Sequence, residues 1–217
     1  VNTNPESDLD LVTEEIELPK PSLVAEVLLA IAGLLLTIFC TFVQVFATNP
    51  PWQWWKAGIY SHPLGTTYQV GAVLLTACVG GSRAGAIAQL GYITLGLAWL
   101  PIFAHGGGWD YWQQPTFGYL LGFIPGAWLC GWLAYRSPTK IESLALSCLA
   151  GLGVIHGAGM VYLVLMALLK LGNPPILPLS ALPQALITFS LMALPGQIIL
   201  VCLTAVLAYF LRRILFY

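Results

Sequence analysis

The chain reads as an all-α membrane protein with six transmembrane helices, and three observations carry that reading. Only 8% of its 217 residues are charged while 58% are hydrophobic, and the mean hydropathy is +0.82. A domain of this size in water has about a quarter of its residues charged. Beyond residue 22 the apolar residues gather into long stretches. A helix needs roughly 20 of them to cross a hydrocarbon core about 30 Å thick. The interruptions are short and rich in Gly, Pro and Trp.

Residues 1–22 form the first unit. They hold Glu6, Asp8, Asp10, Glu14, Glu15 and Glu17 and close on Pro19 and Pro21. This composition predicts an acidic, weakly ordered tail. Residues 23–217 form the second unit, a single transmembrane domain. Its first helix is expected over about Leu23–Ala47, with Glu26 near the positive end of the dipole. Residues 48–62 read as a loop whose Trp52, Trp54, Trp55 and Tyr60 suit the headgroup level of a bilayer. The second helix, about Leu64–Val79, turns at Gly80–Arg83 into a third that ends near Phe103. Residues 104–115 are the next long loop. The fourth helix covers about Thr116–Tyr135, and Arg136–Lys140 is a charged turn. The fifth, about Ile141–Leu171, is long enough to tilt or bend near Gly157. The prolines of Asn173–Pro183 interrupt any helix there. Residues 184–194 read as an interfacial or re-entrant piece before the sixth helix, Pro195 to about Arg213.

With the amino terminus inside, the cytoplasmic face carries Lys20, Arg83, Arg136, Lys140, Arg212 and Arg213, against Lys56 and Lys170 outside. That asymmetry predicts both termini in the cytoplasm. Both long loops and the 172–183 segment then face outward.

Composition and motifs narrow the function. The net charge is −1, and no cluster of Lys and Arg forms a nucleic-acid footprint. No GxxxxGK[ST], HExxH or GxSxG pattern occurs, so neither a phosphate loop nor an enzyme centre is expected. Cys40, Cys78, Cys130, Cys148 and Cys202 all fall inside apolar stretches without metal-ligand spacing. They read as small buried hydrophobes, with no metal and no cofactor.

Three places could hold chemistry. The loop His105-Gly106-Gly107-Gly108 lets backbone approach a ligand closely. Trp109, Tyr111 and Trp112 follow it, with Gln113, Gln114, Pro115 and Thr116. Aromatic walls with a few polar groups suit a small-molecule pocket, although an ordinary interfacial loop has the same composition. Small residues four apart, Gly81 and Gly85, then Gly118, Gly122 and Gly126, let helices approach in lipid. They serve either packing within the bundle or docking onto another membrane subunit. Leu194-Pro195-Gly196-Gln197 opens a helix whose free amides favour an anion, although a cap explains the pattern equally. Within the spans, Gln44, Gln69, Gln89 and His156 are expected to face the bundle interior.

These motifs stand in an order that resembles the BioY family. The resemblance runs from Gly81, Arg83, Gly85 and Ala86 to Tyr92, Leu95, Gly96, Leu100, Pro101, Phe103 and Ala104. It continues through Gly106–Gly108 to Pro115, Thr116, Gly118–Leu120, Gly122 and Phe123, and takes in Gln69 of TTYQ. It spans about residues 60–213. The family comprises the biotin-binding membrane S components of energy-coupling-factor vitamin transporters. The resemblance therefore implies a six-helix S-component bundle that captures biotin at its outer face. Transport would use a transmembrane coupling subunit and two ATPases, or the chain acting alone. Two positions depart: Gln197 and Leu200 stand where the family pattern has Asp and Lys.

Set against biotin, the residues suggest a site. Trp109, Tyr111 and Tyr119 would be walls; Gln69, Thr116 and Gln197 would meet polar groups. His156, Gly106, Gly107 and Pro115 complete the expected set, with loop 104–115 as a lid. The lost Asp and Lys motivate an alternative: a non-transporting accessory subunit built on the same fold.

Overall fold

The computed structural model describes residues 22–170 and 176–216. The expected acidic tail, apart from Ser22, and Asn173–Pro175 lie outside the described residues. Helix α1 (Leu23–Thr41) begins at Ser22, whose side chain accepts from the Ala25 amide at 3.3 Å. One of the four orphan amides of a helix start is thereby satisfied. The outer face of α1, with Leu23, Val24, Leu28 and Phe39, is exposed. A face this apolar belongs against lipid tails.

The first helix does not continue to Ala47. It stops at Thr41, and residues 44–48 form strand β1, paired antiparallel with β2 (Ser61–Thr67). Phe46 faces Pro63 and Ala47 faces His62, with an irregularity between Gln44 and Phe46. The Gln44-to-Thr48 stretch is β-branched and aromatic enough to extend, and a short apolar run looks alike as strand or helix end. Gln44 is therefore exposed on a strand rather than buried in a span. The hairpin tip is internally tied. Asn49 Nδ2 donates to Gly58 O (3.0 Å), Asn49 Oδ1 accepts from the Tyr60 amide (3.0 Å), and Trp54 Nε1 donates to Asn49 O (2.8 Å). Trp55 is 95% exposed and Trp52 75%. In brominated lipid vesicles, fluorescence of wild-type protein is expected to be quenched more than that of a Trp52→Ser/Trp55→Ser variant. Equal quenching would remove the interfacial role.

Helix α2 (Gln69–Ala98) contains the expected turn. Gly81 has φ 83° and ψ −178°, a conformation essentially confined to glycine. Straight, residues 69 and 92 would lie about 35 Å apart. Instead Gln69 Nε2 donates to the Tyr92 hydroxyl at 3.0 Å. The element is a helical hairpin of limbs 69–80 and 82–98, so the six-helix architecture holds. It sits at the centre, packed on α1, on α3 (Phe117–Arg136) and on α6 (Leu194–Phe216). Helix α4 (Ile141–Leu169) packs on α3 and α6, runs without a break through Gly157, and ends at a left-handed Lys170. At about 44 Å it exceeds the hydrocarbon thickness. The piece before α6 is helical: α5 (Leu182–Leu186) widens into a π turn at Ile187–Leu191. Among the described residues, five stretches, the hairpin counted once, are long and apolar enough to cross a membrane.

The small residues point inward. A Cβ on Gly85 would meet Ala77, one on Gly118 Tyr162, one on Gly122 Ile155 and Ala158, and one on Gly126 Ile155 and Gly151. Gly81 rests on the Tyr135 ring. Packing within the bundle is the role these contacts support for Gly81, Gly85, Gly118, Gly122 and Gly126. Close helix approach inside the bundle already uses all five. Arg212 is likewise not a solvated loop charge; it is buried, 3% exposed.

Candidate functional site

Limb 69–80 rises only about 18 Å, roughly half the hydrocarbon thickness. The space beyond its first residues, Gln69 and Val70, is a cavity of about 800 Å³. That is within the range of small-molecule sites. The hairpin roofs it with Gln44, Pro63, Gly65, Thr66 and Thr67. Its floor and walls are Thr41, Leu120, Phe123, Ile155 and Phe189. Of the expected residues, Gln69, Tyr111, Thr116, Tyr119 and Gln197 converge on it, together with His105.

Others do not. Trp109 is 73% exposed and lies outside the lining, so it is not a wall. Gly106, Gly107 and Pro115 also lie outside it. The glycines shape the loop instead: Gly106 and Gly108 have φ of 106° and 100°. The Gly108 amide donates to Gly96 O at 2.7 Å. A side chain on Gly107 would strike the Leu100 carbonyl. The loop needs backbone against backbone there.

His156 sits one layer behind the lining. Its Nε2 lies 2.5 Å from Gln197 Oε1. An amide oxygen only accepts, so Nε2 is the donor. That bond turns the Gln197 NH₂ into a donor available to the cavity. His156 Nδ1 is buried without a hydrogen-bond partner among the described residues. Its ring meets Tyr119 edge-on at 5.7 Å, and the Tyr119 hydroxyl reaches Ser190 Oγ at 2.6 Å. Tyr119, His156 and Gln197 thus form one supported wall. The anion expectation at the last helix is weakened, since Pro195 has no N–H and the Gln197 amide already donates to Ala193 O at 3.1 Å. Leu200, at the family's Lys position, is buried against Gly71 rather than in the cavity.

Tyr92 went unassigned by sequence reasoning. Its hydroxyl accepts from Gln69, donates to Ile102 O (3.0 Å) and lies 3.1 Å from Thr41 Oγ1. It joins α1 and both limbs directly beneath the cavity. Replacing Tyr92 by Phe takes the partner from Gln69 Nε2 and Ile102 O, while Thr41 Oγ1 keeps its bond to Thr37 O (2.7 Å). We expect a loss of about 2 kcal/mol in stability, read as a lower melting temperature in detergent. An unchanged melt would remove Tyr92 as the tie. From Tyr92 an aromatic stack runs outward through Phe103 (5.2 Å) to Tyr111 (4.5 Å further). It fixes Tyr111 at the rim. Burial pushes the Tyr111 phenol above its ordinary pKa, with Thr116 and the His105 backbone partly opposing. Tyr111 is therefore a neutral donor at physiological pH. Thr116 Oγ1 is buried and makes no well-formed hydrogen bond among the described residues. Among the described residues, no Lys, Arg, Asp or Glu occurs in the lining. Eleven of the 21 lining residues are polar, and the rest are apolar or glycine.

Fold and cavity together define a membrane-embedded helical bundle built around a small-molecule pocket. The BioY family model matches residues 16–216. The chain belongs to the BioY family. It is 41% identical over 119 residues to a biotin transporter BioY of Thermotoga maritima, covering 48% of this chain and 70% of that one. A probable biotin transporter BioY of Lysinibacillus sphaericus is 42% identical over 99 residues, 45% of this chain and half of the relative. An uncharacterized 21.2 kDa protein of Cyanophora paradoxa is 29% identical over 152 residues, 70% of this chain and 76% of that one. The fold is similar to the crystal structure of a biotin S component from an energy-coupling-factor ABC transporter. The TM-score is 0.59 at 18% identity, covering 98% of this chain and 95% of the other.

Proposed function

We propose that this chain is a biotin-capturing membrane subunit of a vitamin uptake system. The observation that carries it is the neutral cavity of about 800 Å³, edged by Gln69, Tyr111, Thr116, Tyr119 and Gln197, in a BioY-family chain. Biotin has an apolar bicycle, a polar uncharged ureido head and a carboxylate tail. Leu120, Phe123 and Ile155 suit the bicycle; Gln69 and Gln197 suit the ureido group, whose carbonyl needs donors and whose N–H groups need acceptors. The tail points toward the hairpin and His105 at the mouth. The site opens outward and both termini lie in the cytoplasm of a bacterial-type cell membrane. Translocation follows docking onto a coupling subunit with two ATPases.

The purified chain is expected to bind biotin saturably, one per chain, by titration calorimetry in detergent and in lipid nanodiscs. Absence of binding in both media would reject the reading and favour the accessory subunit. Because no fixed cation lines the cavity, biotin methyl ester is expected to bind within about tenfold of biotin, the loss of a charge-assisted contact being modest here. A collapse of affinity on esterification would mean that a cation engages the carboxylate.

A further inference from the structure

At the opposite end of the bundle from the cavity, Cys78, Cys130 and Cys148 converge from three different helices. Cys78 Sγ lies 3.6 Å from Cys130 Sγ and 3.5 Å from Cys148 Sγ. All three sulfurs fall within 4.8 Å of one another and all three residues are 0% exposed. Cys78 is three residues before the Gly81 turn, Cys130 six before Arg136 and Cys148 seven after Ile141. The cluster therefore lies about 10 Å or less inside that face. The approach is built from the backbone: a Cβ on Gly151 would stand 2.8 Å from Cys130 Cβ. Any larger residue at 151 would hold α3 and α4 apart.

One helical turn beyond Cys130 sits the buried cation Arg212. Its Nη1 donates to Ala134 O at 2.8 Å, and its guanidinium lies 4.3 Å over the Tyr135 ring. Tyr135 in turn donates to Val79 O at 2.6 Å, next to Cys78. No carboxylate pairs with Arg212 among the described residues. A buried guanidinium without an anion is costly; the Tyr135 hydroxyl is engaged with Val79 O, and a thiolate cluster in the same layer would supply negative charge.

We infer that Cys78, Cys130 and Cys148 form a binding site for a soft monovalent d¹⁰ metal ion, of the copper(I) or silver(I) class. Thiolates select soft ions. A trigonal centre with metal–sulfur bonds of about 2.3 Å puts its sulfurs about 4 Å apart, so small side-chain shifts suffice. Zinc fits less well, because it takes four ligands and, among the described residues, no His, carboxylate or fourth thiol joins the group. Two thiols lose their protons to solvent and bind as thiolates, and the third coordinates as a thiol. The ion then carries a site charge of −1, which Arg212 balances. Held so, the ion pins α2, α3 and α4 beside the Gly81 turn. The sequence assigned these cysteines to packing because 78, 130 and 148 have no ligand spacing.

The test uses full chain in detergent, reduced, with Cys40 and Cys202 changed to Ser. Silver(I) is titrated against glutathione as competing thiol. We expect one silver per chain, an ultraviolet thiolate-to-metal absorption and a raised melting temperature. Cys78→Ser, Cys130→Ser or Cys148→Ser each should weaken binding about 100-fold, and Arg212→Gln about tenfold. Cys148→Ala serves where the serine disturbs folding, which circular dichroism and melting report. Folded protein that takes up no silver overturns the site. So does uptake that persists when all three cysteines are replaced.

Discussion

Changing Gln197 to Ala is expected to weaken biotin binding by roughly 100-fold, about 2.7 kcal/mol. The side chain lines the cavity and its oxygen is occupied by His156 Nε2 at 2.5 Å. What remains for a ligand is the NH₂ donor. Deleting it removes a bond worth about 1 kcal/mol net and strands the ligand's buried acceptor, at about 1–3 kcal/mol more. His156→Phe separates contact from positioning. It keeps an aromatic ring beside Tyr119 but lets Gln197 rotate. We expect about a tenfold loss, smaller than for Gln197→Ala, with no direct ligand contact removed. Titration calorimetry on the three proteins checks the order. If Gln197→Ala binds like wild type, the ligand lies elsewhere. This pair bears on the family departure, since Gln197 stands where an Asp is expected and Leu200 is buried away from the cavity. A hydrogen-bonded His–Gln couple supplies direction where a charged pair would supply charge.

Gly131→Ala is expected to destabilise the bundle by about 3 kcal/mol. The new Cβ would stand 2.5 Å from the Gly81 carbon and from the Ser82 nitrogen. Both are backbone atoms, so no rotamer change relieves the clash. Helix α3 has to move off the turn that reverses α2, and with it the inner face that carries Phe123 and Cys130. Gly153→Ala is the control. Nothing lies within 4 Å of a Cβ there, and Ala in a helix is about 0.5–1 kcal/mol better than Gly. Melting in detergent should therefore fall clearly for Gly131→Ala and hold or rise for Gly153→Ala. Equal behaviour would mean that the turn does not depend on this contact.

Much of the site was legible because polar residues are scarce in spans. Gln69, Thr116 and Gln197 stand out against an apolar background, since burying an amide in lipid demands a partner. Tyr111 and Tyr119 followed from their place beside a glycine-rich loop. Trp109 lies outside the lining; composition does not say which side of a loop faces inward. The hairpin was missed because the short, mostly apolar stretch 42–48 after a helix gives no period to distinguish strand from helix. Tyr92 was quoted as part of a motif without a role, for its partners Thr41 and Ile102 are joined to it only by folding.

The amino-acid order by itself determined the solvent, the number of helices and the reversal at Gly81. These depend on local quantities: apolar length against hydrocarbon thickness, and a backbone angle open only to glycine. The depth of the cavity, the His156–Gln197 couple, the inward turn of Arg212 and the meeting of three cysteines were decided by tertiary packing. The last three join residues between about 40 and 80 positions apart along the chain. No local preference encodes such distances; they exist only once small residues have brought the helices into contact.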